Sequence, residues 1–116
     1  MLNLIKRSMP PIERYQIDRY EHEGLLLRIK LHLVFIDESI LHVKEYRFAD
    51  RSRKYAYHWA DSDGSLKIRW DNAEHWPEIA TFPHHKHVGL SNVTCASTET
   101  SFEAVLNQIV ASFSAT

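Results

Sequence analysis

The chain has 116 residues, of which 44% are hydrophobic and 25% charged, and its formal net charge is -1 with histidine neutral. That size and balance describe one globular domain spanning 1–116, with a modest core, and exclude both a disordered chain and a strongly basic nucleic-acid binder. Eight histidines are present, five of them between His58 and His87, so the balance turns positive below about pH 6.5.

The opening "MLNLIKRSMPP" has too short an apolar run for a signal peptide and meets prolines at once. "RYQIDRYEH" places Tyr15, Ile17 and Arg19 on one face and reads as a strand ended by Gly24, with a short helix as the rival. "LLLRIKLHLVF" sets Leu25, Leu27, Ile29, Leu31, Leu33 and Phe35 at alternate positions, a half-buried strand. "IDES" is a tight turn into a partner strand, Ile40 to Phe48. The charged loop "ADRSRK" follows, then "YAYHWA", with Tyr55, Tyr57 and Trp59 facing inward and His58 outward. "DSDG" turns into "SLKIRWDN", where Leu66, Ile68 and Trp70 alternate with Lys67, Arg69 and Asp71. From Asn72 to about Ser97 the periodicity fails, and "HVGLSNVTCA" carries at most one short extended piece. Phe102, Val105, Leu106, Ile109, Val110 and Phe113 then mark one face of a helix, with Thr100 and Glu103 at capping-box spacing. The expected fold is α+β: an antiparallel β-meander of about five strands with a C-terminal α-helix packed on one face.

No apolar stretch approaches the roughly 18–20 residues of a membrane span, so no membrane partner is expected. The lone Cys95 excludes an internal disulfide and fits a reducing cytoplasm.

The polar residues that could carry chemistry cluster late in the chain. Strand pairing puts His58 near Lys67 or Arg69. The strand end delivers Asp71, Asn72 and His75, and the loop "TFPHHKHVG" delivers His84, His85, Lys86 and His87. In an extended segment His85 and His87 share one face, with His84 and Lys86 on the other. Such a pair, completed by Asp71 or His75, could hold a metal. Cleavage of RNA without a metal needs a base for the 2′-OH, an acid for the leaving oxygen and a cation for the charged transition state. His75, His85 and His87 supply the proton-transfer groups and Asp71 an orienting carboxylate. Arg69 and Lys86 are the expected phosphate holders, with His58, Asn72 and His84 as further substrate contacts and Tyr57, Trp70 and Trp76 as base-stacking candidates. This scheme calls for no cofactor and no metal.

The order of the pieces resembles the TumE family of toxin–antitoxin toxins. The shared features are the YxYHW strand (Tyr55 to Trp59), an acidic turn with glycine (Asp63-Gly64), the RWDNAxHxP strand end (Arg69 to Pro77) and FPHHKH (Phe82 to His87). Trp76 stands where similar proteins often carry a second histidine, and a fuller helix is expected before the first strand. The resemblance implies a small prokaryotic toxin partnered by a helix-turn-helix antitoxin, and leaves its molecular target and oligomeric state open. With the residue chemistry, the expected function is a toxin acting as a metal-independent ribonuclease. The alternatives are a non-catalytic RNA- or protein-binding module and a histidine-rich metal-binding protein.

Overall fold

Alternating apolar and polar residues build a single antiparallel sheet in a computed structural model that describes residues 1–114. A short helix, α1 (Leu2–Arg7), precedes seven strands: β1 (Ile12–Glu23), β2 (Leu26–Phe35), β3 (Ile40–Arg47), β4 (Arg53–Ala60), β5 (Leu66–Asp71), β6 (His85–Val88) and β7 (Val93–Ala96). Helix α2 (Phe102–Ser114) closes the chain. The strands lie in sequence order, each antiparallel to its neighbours, so the sheet is an uninterrupted meander.

The inward set of the central strands is apolar and the helix covers it. Ile29, Leu31, Leu33 and Phe35 from β2, Leu41 and Val43 from β3, Tyr55, Tyr57 and Trp59 from β4, and Trp70 from β5 are buried with Phe102, Val105, Leu106 and Ile109 of α2. Each of the aliphatic side chains contributes about 1.5–3 kcal/mol by leaving water. Ile5 of α1 joins the same cluster, and Phe113 stacks on Phe35 at 5.5 Å.

Three hairpins close with one device. In Asp37-Glu38-Ser39, Asp50-Arg51-Ser52 and Asp63-Gly64-Ser65, the aspartate Oδ1 accepts hydrogen bonds from the serine amide and the serine hydroxyl. The middle residue has positive φ in each: 69° at Glu38, 70° at Arg51 and 87° at Gly64. The turns fall 13 positions apart, which fixes the register of β2 through β5.

The expected five strands become seven, because β6 and β7 lie inside the segment without hydrophobic periodicity. Both faces of β6 are polar, with His85 and His87 on one side and Lys86 on the other, so alternation cannot mark it. The backbone ladder to β5 and β7 defines it instead. The helix cap is also shifted by one residue. Ser101 Oγ accepts from the Ala104 amide at 3.1 Å, and the Thr100 carbonyl is engaged by the Arg53 guanidinium.

Candidate active site on the open face of the sheet

Helix α2 covers one face of the sheet, and the polar positions of β2 to β6 line the other. Register sets these positions in rows across the strands. His32 pairs with His42, His42 with His58, His58 with Arg69, and Arg69 with His87. In the next row Lys30 pairs with Lys44, Lys44 with Ala56, Ala56 with Asp71, and Asp71 with His85.

Asp71 is where the chemistry converges. Its side chain is almost fully buried, and Oδ1 accepts the Ala73 amide at 3.0 Å, which fixes the turn out of β5. His85 Nε2 lies 2.9 Å from the same oxygen. His87 Nε2 lies 3.8 Å and Arg69 Nε 3.3 Å from Oδ2. The far side of each ring is also held. His85 Nδ1 donates to the Pro83 carbonyl at 3.0 Å, and His87 Nδ1 lies 3.0 Å from Thr94 Oγ1. A ring lone pair cannot face a carboxylate this closely unless something positive lies between them. At His85 that is a ring N–H proton or a metal cation. Asp71, His85 and His87 could hold such a cation, since one ligand atom from each lies within 4.8 Å of the others.

These residues form one wall of a cavity of about 430 Å³, lined also by Lys44, Lys54, His75 and Trp76. Trp76 meets the His85 and His87 rings edge-on, at 6.4 and 6.1 Å between centroids. Burial lowers the pKa of His87 from its ordinary value, against the pull of the Asp71 charge, and the charges of His85 and Arg69 lower it further. Burial also lowers that of His58, with Arg69 and His42 adding to the effect.

The structure therefore brings Asp71, Arg69, His75, His85 and His87 to one cavity, with His58 joined to it through Arg69 Nη1 at 3.3 Å. Lys86 and His84 lie outside it. Lys86 points to the helix side and reaches Glu99 at 3.3 Å, while His84 Nδ1 is 2.8 Å from the Tyr55 hydroxyl. Asn72 is taken up by the backbone, accepting from the Tyr55 amide and donating to the Arg53 carbonyl. Tyr57 and Trp70 are fully buried, so of the three stacking candidates only Trp76 faces the cavity. Lys44 and Lys54 line the cavity but stand outside the expected site residues. Their signal was the outward phase of their strands, which places Lys44 beside Ala56 and two strands from Asp71.

An antiparallel meander with a histidine–aspartate cluster on its open face defines a small α+β protein with a polar, cation-lined site. The chain belongs to the toxin TumE family, whose model matches residues 1–113. Membership gives it a toxin role and, with that, an antitoxin as partner. No curated protein and no solved structure matches the chain. No helix among the described residues is long and apolar enough to cross a membrane.

Proposed function

We propose that this toxin cleaves RNA without a metal, at the cavity walled by Asp71. One observation carries the reading: His85, His87 and Arg69 converge on the Asp71 carboxylate, beside Lys44 and Lys54, which form no ion pair among the described residues. The ribose 2′-oxygen attacks the adjacent phosphorus, and the bond from phosphorus to the 5′-oxygen breaks. His87, kept neutral near pH 7 by its lowered pKa, takes the 2′-OH proton on Nε2, which at 3.8 Å from Asp71 makes no hydrogen bond to it. His75, exposed at the cavity mouth, gives a proton to the departing 5′-oxygen. Lys44, Lys54 and Arg69 stabilise the extra negative charge on the phosphorus-bound oxygens. Thr94 holds the far nitrogen of His87, the Asp71 charge stabilises the imidazolium that forms, and buried His85 anchors Asp71. Lys86, expected from sequence to hold phosphate, has no part in this scheme because it faces the other side of the sheet.

The test is RNA cleavage by purified protein with EDTA present. Wild type is expected to cut, and His87→Ala and Asp71→Asn to lose about 10²-fold or more in rate. Intact RNA with the wild-type protein would refute the reading. The antitoxin partner is proposed to be a helix-turn-helix protein, and co-purification of the product of the neighbouring reading frame tests that.

A second reading has its own observation. Both Nδ1 atoms of His85 and His87 are held while both Nε2 atoms turn toward one carboxylate, the arrangement that metal-binding imidazoles adopt. Stoichiometric metal in protein purified without a histidine tag, lost in His85→Ala with His87→Ala, would favour it.

A further inference from the structure

A second cavity adjoins the Asp71 cavity. A cavity of about 240 Å³ is lined by Asp18, Lys30, His42, Lys44, Ala56, His58 and Arg69. It shares Lys44, Ala56 and Arg69 with the first, so the two form one groove that crosses the strands. Ala56 is the reason it is continuous. It sits in register between Lys44 and Asp71, and its single methyl leaves the floor low where any longer side chain would fill it.

The charge along this groove is one-sided. Lys30, Lys44 and Lys54 form no ion pair among the described residues. Arg69, His42 and His58 add further donors, with the two imidazole centroids 6.4 Å apart. The carboxylates in it are already engaged, Asp18 by His32 at 2.8 Å and Asp71 by its three partners. From β2 to β6 the groove crosses four strand spacings, about 19 Å in all. Half-buried Trp76 stands at the β6 end, with a ring face on which a base can stack.

We infer that this groove is a binding track for single-stranded RNA, whose backbone runs across β2 to β6 over Ala56 and delivers one nucleotide to the Asp71 cavity. The inference rests on the ribonuclease reading for its substrate, but it concerns a surface that reaches well beyond the site. Lysines without an ion pair among the described residues suit a polyanion, and stacking on Trp76 needs an unpaired base, which a single strand offers and a duplex does not. The stacking ring favours a nucleic acid over an acidic polypeptide.

The experiment measures binding and cleavage separately on one labelled single-stranded RNA, by fluorescence anisotropy and by gel. Lys30→Gln, three strands from Asp71 and outside its cavity, is expected to weaken binding roughly tenfold and to leave the cleavage rate at saturating RNA unchanged. The slope of log affinity against log salt becomes shallower by about 0.7 for each phosphate that the variant no longer neutralises. Ala56→Phe, which keeps a strand-favouring side chain, is expected to weaken binding by blocking the floor. Lys6→Glu, on α1 and outside the groove, is the control that leaves binding as in wild type. Wild-type affinity in both Lys30→Gln and Ala56→Phe would overturn the track. So would equal affinity for duplex RNA or for polyglutamate. Binding that responds as expected while wild type cuts nothing would sustain the track and sink the ribonuclease reading.

Discussion

Asp71 holds His85, His87, Arg69 and the Ala73 amide at once, so its charge organises the whole site. Asp71→Asn keeps the shape but removes the charge that the two imidazoles face. The expected outcome is a protein that still folds yet no longer arrests growth when expressed, read from growth curves beside a circular dichroism spectrum. The histidines also set an acid limit on stability. His42, His58, His84 and His87 all have pKa values lowered from the ordinary one, with burial as the first cause. A lowered folded value means that the unfolded chain binds protons first as pH falls. Stability is then complete above the unfolded value of about 6.5 and declines as pH drops toward the folded values. Thermal unfolding at pH 7.5 and 5.5 should show a lower midpoint at the acid pH, and His42→Gln with His58→Gln should narrow the difference. At this scale sequence reasoning recovered the division of the "HHKH" run into two faces, because alternation follows from extended backbone alone. It could not show that Asn72 is consumed by backbone bonds, since an Asx side chain serves a ligand or a strand end with equal ease.

The hairpin turns show what an element-scale pattern can hide. The three Asp-x-Ser turns are one structure written three times, yet their middle residues are Glu, Arg and Gly. Only the last announces itself, because glycine is the residue that adopts positive φ without strain. A side chain in that region costs roughly 1–2 kcal/mol, part of which a glycine gives back through its freer unfolded chain. Glu38→Gly is accordingly expected to stabilise the fold by about 0.5 kcal/mol, seen as a higher denaturation midpoint with an unchanged slope. The inward face of β3 carries the opposite kind of cost. Glu45 is 1% exposed and accepts from the Tyr57 hydroxyl, from Arg47 at 3.0 Å and from Arg53 at 3.2 Å. Burial and the Glu45 charge both push the Tyr57 hydroxyl toward its neutral form, so it remains a donor. Glu45→Ala leaves Arg53 without its carboxylate beside the start of α2, and should cost about 3 kcal/mol in the same denaturation measurement. In the sequence Glu45 occupies an inward position of an otherwise apolar alternation. That mismatch was the available clue to a buried ion pair.

Across the whole molecule the sheet separates two jobs. The helix-covered face supplies stability through aromatic and aliphatic packing, and the open face gathers histidine, lysine, arginine and one aspartate. The first five strands and α2 could be read from periodicity, because burial on one side imposes it. The last two strands could not, because β6 is polar on both faces and β7 is a four-residue edge with exposed Val93. Those two strands complete the site, and this is why the residues were legible one by one while their arrangement was not. The family explains the role as a toxin; the open face explains how the role could be performed. The most direct test of that link is the chemistry of RNA ends in cells arrested by the toxin. Attack by the ribose 2′-oxygen should leave 2′,3′-cyclic phosphate and 5′-hydroxyl ends that vanish in His87→Ala. Ends bearing 5′-phosphate and 3′-hydroxyl, or arrest with no new RNA ends, would contradict it.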